Sequence, residues 1–257
     1  MYPAFLHFSH SPSRLFRLTA MHLHDRFAEF LSASEIIEAT PALLNDQRRR
    51  FVSSPDIVLQ PNSVESVQKI MRFCFENRIR VTPQGGNTGL CGAAVTTTGV
   101  LLNLSKLNRI RDINLADNSM TVEAGVILQN AQKAAAEAGR LFPLSLASEG
   151  SCQIGGNIAC NAGGLNVLRY GSMRDLVLGL EVVLPNGELV SHLQPLHKNT
   201  TGYDLRHLFI GSEGTLGIIT AATLKLFAQP KTKATAWVGL DDIESAVSLL
   251  TAVQGHF

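Results

Sequence analysis

The chain has 257 residues, 45% of them apolar and 17% charged, with a formal net charge of +1 and a mean hydropathy of +0.12. That length gives one large domain or two modest ones, with ample material for a core. The balanced charge offers no electrostatic case for nucleic acid, because the one basic run, Arg48-Arg49-Arg50, is short and reads as a solvated face. No run of about 18 apolar residues is present to cross a membrane.

Residues 1–24 contain no Asp or Glu but carry Arg14 and Arg17. They lack the continuous apolar core of a targeting peptide, so an unstructured extension, or a start at Met21, is expected. Residues 25–52 read as a polar helical segment ending in the arginine run. Ile57-Val58-Leu59 is a short strand closed by Pro61. Asn62 is placed to cap the next helix with Glu65 reaching back, and Val64, Val67, Ile70, Met71, Cys74 and Phe75 repeat at helical spacing. Ile79 to Thr82 is a second strand that runs into a glycine loop, the order of a βαβ unit with a ligand loop at the strand's carboxyl end.

Val100 to Leu104 and Met120 to Ala124 read as strands, and Ile127 to Ala138 as an alanine-rich helix stopped by Gly139. Pro185-Asn186-Gly187 between two β patterns, Val177 to Leu184 and Glu188 to His192, is a hairpin signal. A short helix is expected over Asp204 to Phe209, then a long strand over Ile218 to Phe227. Pro230 marks a boundary. A strand over Ala236 to Leu240 and a helix capped by Asp241, with Ile243, Val247, Leu250 and Val253 as its apolar stripe, read as the opening of a second domain.

Of 21 glycines none precedes Gly85, and 19 lie between Gly85 and Gly217, so whatever needs freely approachable backbone is confined to that stretch. Three segments concentrate it. Pro83-Gln84-Gly85-Gly86-Asn87-Thr88-Gly89-Leu90 fits neither a Walker A loop nor G-x-G-x-x-G; it offers consecutive amides and neutral side-chain donors suited to a pyrophosphate. Ser151, Gly155, Gly156, Asn157, Asn161, Gly163 and Gly164 combine amides with two carboxamides, the groups a flavin ring needs along its N1–C2=O and N3–C4=O edge. Gly211 to Gly217 feeds a strand whose backbone at Ile218 and Ile219 is placed to meet an adenine or ribose.

Glu213 reads as a structural anchor. Arg169, Tyr170, Gly171, Arg174 and Asp175 either fix the second loop or meet a substrate acid; Tyr203 reads as a hydrogen-bonded corner or a pocket wall. The four cysteines, Cys74, Cys91, Cys152 and Cys160, form no C-x-x-C or zinc pattern and read as reduced filler, pointing to a reducing compartment. His192, His197 and His207 are not at metal-ligand spacing.

Taken in order, these segments, with Arg169-Tyr170-Gly171 and Thr201-Gly202-Tyr203-Asp204-Leu205, resemble the FAD-linked D-2-hydroxyacid dehydrogenases over residues 40–257. This is a D-lactate, glycolate and D-2-hydroxyglutarate group within the vanillyl-alcohol-oxidase-like class; the run from Phe142 to Asn166 is most similar to the D-2-hydroxyglutarate type. The resemblance implies an α+β fold: a two-subdomain FAD-binding domain over 53–230, followed from 231 by the first β-α unit of an incomplete substrate (cap) domain. By that similarity Pro83, Gly85, Gly86, Asn87, Thr88, Gly89 and Leu90 hold the pyrophosphate. Ser151, Gly155, Gly156, Asn157, Asn161, Gly163 and Gly164 surround the flavin and ribityl chain, and Gly217, Ile218 and Ile219 contact the cofactor through backbone.

No flavin-linking histidine stands in the first loop, so FAD is expected to be non-covalent. The implied reaction is hydride transfer from a D-2-hydroxy acid to flavin N5, with electrons leaving to a separate acceptor. Catalytic and metal residues belong to the cap in this family, so none is assigned here. A homodimer and a cytoplasmic location, at most peripheral to a membrane, complete the expectation. Two rivals stand beside it: a flavin-binding module without turnover, and a same-fold reductase using a nicotinamide cofactor and an enolpyruvyl sugar nucleotide.

Overall fold

The structure, a computed structural model, describes residues 20–254. It opens with α1 (Ala20–Ala28), so residues 20–24 are helical, not extended tail; the rest of the expected extension lies outside the described residues. The helix expected to continue to residue 52 does not. After a single 3-10 turn at Ala33–Glu35 come β1 (Ile36–Ile37) and α2 (Pro41–Leu44). Asp46 then ties the chain back on itself: its carboxylate accepts from the N–H groups of Arg50 at 2.6 Å and Phe51 at 2.9 Å, and Arg49 sits at φ 55°. Side-chain to backbone bonding of this kind competes with helix.

The first lobe is a βαβ unit. β2 (Ile57–Leu59) leads to α3 (Val64–Glu76) and then β3 (Val81–Gln84), with β4 (Val100–Asn103) inserted between the two strands. The sheet order is β1-β2-β4-β3, parallel except at β1. The cap of α3 is Ser63, whose Oγ accepts from the Ser66 N–H at 3.1 Å. Asn62 is taken elsewhere: its N–H donates to Glu35 Oε1 at 3.1 Å. Leu59, Val67, Ile70 and Leu102 meet Leu23 and Phe27 of α1 in a fully apolar core.

The second lobe holds β5 (Ile110–Asn114), β6 (Ser119–Glu123), α4 (Leu128–Glu137), β7 (Arg140–Leu141), α5 (Ile154–Ala159), α6 (Val167–Tyr170), α7 (Met173–Leu176), β8 (Val177–Val183), β9 (Leu189–His192), α8 (Arg206–Phe209), β10 (Ile218–Lys225) and β11 (Phe227–Ala228). Its main sheet is antiparallel in the order β5-β6-β10-β8-β9, and β7 pairs with β11. Gly187 at φ 83° closes the expected β8–β9 hairpin. One face of the sheet, through Met120, Val122, Leu180, Val182 and Leu224, packs on Leu128, Phe142, Ile154 and Ile158. Val183 and Ile218 instead join the first lobe's core, so the two lobes share an apolar seam.

Residues 236–240 form no strand. They have no neighbouring strand to pair with, and alternation alone does not hold extended backbone in water. α9 (Ile243–Gln254) does form, with Asp242 rather than Asp241 accepting from the Ser245 N–H at 2.7 Å. It buries no residue, and Trp237 is fully exposed.

A charged network crosses the main sheet. Glu123, with no exposed surface, accepts from the Arg109 N–H and guanidinium at 2.9–3.1 Å and from Arg111 Nε at 3.3 Å. Arg111 also reaches Glu181 at 3.1 Å, and the buried Thr220 hydroxyl donates to that carboxylate at 2.9 Å. Burial pushes the Glu123 carboxyl up, but the Arg109 bonds and the charges of both arginines outweigh it, so the group is held below its ordinary 4.5. The unfolded state therefore binds more protons between the two values, and this contribution is present above pH 4.5 and lost as pH falls through the folded value. Glu123→Gln is expected to cost about 2 kcal/mol at neutral pH, less than for a wholly buried pair because Arg109 stays in water. Urea unfolding at about pH 7 and about pH 3.5 checks this: the loss of stability on acidification should be smaller in the variant than in the unaltered chain.

Candidate functional site

The three glycine-dense segments converge on one cleft of about 250 Å³ between the lobes. β3 delivers Pro83 to Gly89 at its carboxyl end. The turn into α5 brings Gly155, Gly156 and Asn157, and the approach to β10 brings Gly217, Ile218 and Ile219. Of the residues read as cofactor-binding, these line the cleft. Leu90, Ser151, Asn161, Gly163 and Gly164 do not.

The glycines divide into two kinds. A Cβ at Gly86 would strike the Ser151 carbonyl, at Gly164 the Ser145 carbonyl, and at Gly214 the Pro83 ring. At Gly155 it would lie 2.6 Å from Ala124 Cβ, and at Gly217 2.7 Å from Val182 Cγ1. These glycines let protein segments touch one another. Gly89 and Gly156 differ: an added Cβ would meet nothing within 4 Å, and both line the cleft. Among the described residues, no backbone N–H from Gly86 to Gly89 donates to a protein acceptor.

The side chains divide similarly. Asn87, at φ 52°, spends its carboxamide N–H groups on the carbonyls of Ala42 at 3.1 Å and Asn45 at 2.6 Å, so its side chain fixes the loop and is no ligand donor. Asn161, at φ 47°, accepts from the Ser172 hydroxyl and the Arg174 N–H, both at 3.0 Å, and anchors α7. Arg174 donates to the carbonyls of Ile210 at 2.6 Å and His207 at 3.1 Å, and Asp175 accepts from Ser172 N–H at 2.9 Å. Arg174 and Asp175 spend these groups on the loop itself. Tyr170 packs edge-on against Phe227. Tyr203 is 95% exposed and lies outside the main cleft; it lines a second, smaller cleft with Gly179, His192, Asn199 and Arg206, the pocket-wall half of its reading.

Two atoms remain. Gln153 Oε1 and Asn157 Nδ2 are buried without a hydrogen-bond partner, and both residues line the cleft. A buried polar atom left unpaired costs about 1–3 kcal/mol, so such a pair in a cleft wall fits a polar ligand. Gln153 went unread in the sequence, where glycine and asparagine carried the signal; its position four residues before Asn157, on the same face of a helical turn, was the available clue. Asp46 was missed as well. It lines the cleft, but its carboxylate serves the 46–51 turn, and the Phe51 N–H, with those of Arg50 and Arg48, holds it below its ordinary value.

The remaining titratable groups at the cleft are Glu213, at φ 51°, and Cys152 and Cys160. Burial, then the charges of Glu213 and Cys91, pushes the Cys160 thiol up, away from thiolate. Among the described residues, no histidine lines the cleft and no group of three His, Cys, Asp or Glu is placed to hold a metal.

Residues 55–192 match the family model described as FAD binding domain. The chain is 39% identical over 236 residues to a D-2-hydroxyglutarate–pyruvate transhydrogenase of Saccharomyces cerevisiae, covering 90% of this chain and 48% of the relative. A D-2-hydroxyglutarate dehydrogenase of Xanthomonas citri is 48% identical over 186 residues, 72% of this chain and 39% of its own length. The mitochondrial D-2-hydroxyglutarate dehydrogenase of Danio rerio is 42% identical, covering 82% and 40%. The chain thus spans half or less of these relatives. An alkyldihydroxyacetonephosphate synthase superposes with a TM-score of 0.71 at 21% identity, over 81% of this chain and 39% of that one, and so shares the fold, which is the mixed α+β FAD-binding architecture of the vanillyl-alcohol-oxidase-like class. Matched over more than half its length by this model, the chain belongs to the FAD binding domain family, within the FAD-linked D-2-hydroxyacid dehydrogenase lineage.

Proposed function

We propose that this chain is the cofactor-binding part of a flavoenzyme that oxidises a D-2-hydroxy acid, of the D-2-hydroxyglutarate, D-lactate or glycolate class, to the 2-oxo acid. The observation that carries the reading is the row of uncommitted backbone N–H groups from Gly86 to Gly89 on the wall of a cleft that belongs to an FAD-binding family. Neutral donors fixed by the surrounding fold suit a diphosphate, because they need no reorganisation to meet it.

FAD, when bound, supplies a two-electron acceptor for the substrate's α-hydrogen. The chain's own residues do the holding. The Gly86–Gly89 amides take the diphosphate. Gly156 leaves room beside α5 for the cofactor to lie against backbone, and Ile218 and Ile219, whose side chains belong to the two cores, meet it through backbone. Asn87 keeps the first loop in place through Ala42 and Asn45. No residue of this chain is assigned as acid, base or metal ligand; those roles, the 2-hydroxy acid contacts and the exit to a separate electron acceptor belong to the complete enzyme, for which a homodimer is one arrangement. We read the attachment as non-covalent, the expectation set by a first glycine loop that carries no histidine. All four cysteines are free thiols, in keeping with a reducing compartment such as the cytoplasm, and no helix among the described residues is long and apolar enough to cross a membrane.

Two outcomes test this. The purified chain should take up FAD, show a flavin band near 450 nm, and release all of the flavin on acid precipitation; a colourless chain that ignores added FAD would overturn the reading, and flavin retained in the precipitate would overturn its non-covalent part. Because the substrate contacts are assigned to the complete enzyme, it is flavin bound by that complete protein, left unbleached by every D-2-hydroxy acid, that would select the module without turnover.

Glycine substitutions supply a second test. Gly156→Ala adds a methyl into open space within a helix, where alanine is favoured over glycine by about 1 kcal/mol. Its ligand-free melting temperature should hold or rise while FAD affinity falls by at least about tenfold. Gly86→Ala should instead lower the melting temperature of the ligand-free chain, because its methyl falls on the Ser151 carbonyl. Calorimetry with fluorescence titration separates the two.

A further inference from the structure

The two unpaired atoms in the cleft wall are different in kind. Gln153 Oε1 only accepts, and Asn157 Nδ2 only donates. Gln153 stands at the start of α5 and Asn157 four residues on, so both side chains leave the same face of that helical turn. Both residues are more than nine-tenths buried. A ligand edge that satisfies both must present a donor and an acceptor to this one helical turn.

FAD has two such edges. One is the imide of the isoalloxazine, where N3–H lies between C2=O and C4=O. The other is the N6–H₂/N1 edge of adenine. The imide is the better match for two reasons. Its donor is flanked by an acceptor on each side, so it pairs with an acceptor–donor couple whichever way round the ring enters. And the ring that exchanges electrons is the part that gains from exclusion of water, whereas adenine binding needs no buried site.

Resting on the cofactor reading above, we propose that Gln153 and Asn157 form a reader of the flavin imide edge: Gln153 Oε1 accepts from N3–H and Asn157 Nδ2 donates to a neighbouring ring carbonyl. The donor bond strengthens as the ring gains negative charge on reduction, so Asn157 also favours the reduced ring. Gly156, between the two carboxamides, leaves open space where a side chain would block the ring, while Gly155 is spent on the contact with Ala124.

The test uses the full chain, stripped of flavin, titrated with FAD and with its N3-methyl analogue, in which a methyl group replaces the N3–H donor. FAD should bind the unaltered chain about tenfold more tightly than the analogue, one hydrogen bond's worth. Gln153→Ala should bring the two ligands to equal affinity. Asn157→Ala should weaken both by a similar factor and move the bound flavin's midpoint potential to more negative values. Equal binding of FAD and the analogue by the unaltered chain overturns the proposal without touching FAD binding itself. The same result with weaker binding of a hypoxanthine-for-adenine analogue, reversed by Gln153→Ala, reassigns the pair to the purine. Failure of the unaltered chain to bind FAD at all overturns the cofactor reading and this inference together. Because the analogue comparison needs no variant, it stands even if either substitution unfolds the chain.

Discussion

The contact on which the site depends lies between α5 and the end of β6. The Gly155 N–H donates to the Ala124 carbonyl at 2.7 Å, and the Ala124 N–H donates to the Thr220 carbonyl at 2.9 Å. There is no room for a side chain at Gly155: a methyl would lie 2.6 Å from Ala124 Cβ. This close approach sets where Gln153, Gly156 and Asn157 stand relative to the sheet. On either side of it sit Glu123 and Thr220, both in the charged network with Arg109, Arg111 and Glu181. The strands on which the α5 turn packs are thus pinned by polar bonds one residue away from the glycine contact, and any slip of β6 against β10 would break several of them at once.

Such rigidity has a purpose when the cleft has so little charge of its own. An ion pair tolerates an error of an ångström because Coulomb attraction falls slowly with distance; an amide donor does not, because hydrogen bonds weaken steeply with angle and length. A cofactor carrying a diphosphate, held by backbone amides instead of lysine or arginine, therefore asks more of the scaffold. Gly86 against Ser151 and Gly214 against Pro83 answer that demand. Each makes one cofactor segment the packing partner of another, so the loops fix one another's positions.

Much of this was legible in the residues and some was not. The βαβ opening, the Pro185-Asn186-Gly187 hairpin and the helix stopped by Gly139 rest on local chemistry, and local chemistry is what periodicity and turn residues report. The convergence of the three glycine segments was read correctly as a single site, but the meaning of individual glycines was not. Gly164 faces the Ser145 carbonyl and Gly156 faces open space, and a sequence shows the same letter for both. The failures share a cause. Ser63, not Asn62, caps α3, and the Asn62 backbone N–H is drawn instead to Glu35, 27 residues upstream. Residues 236–240 alternate like a strand but find no edge to pair with. The supposed helix over 25–52 is broken by the turn that Asp46 draws together. In every case a long-range or side-chain partner decided the outcome.

Gln153 shows the same limit from the functional side. Glutamine before a glycine pair is unremarkable as a letter, and nothing in its neighbours marks it. What makes it informative is that the fold buries its acceptor and supplies nothing to fill it, while Asn157 next to it is left with a donor. Among the described residues, which otherwise pair their buried side-chain polar atoms, from Glu123 to Asn103 and Thr220, the exceptions cluster on one turn of one short helix. Folding alone gives no return for burying two such atoms. Their cost is recovered only when a third party brings the complementary donor and acceptor, and the same turn supplies the open face at Gly156 against which that third party can lie. The site is thus marked less by what its residues do for the protein than by bonds the protein leaves for another molecule to complete.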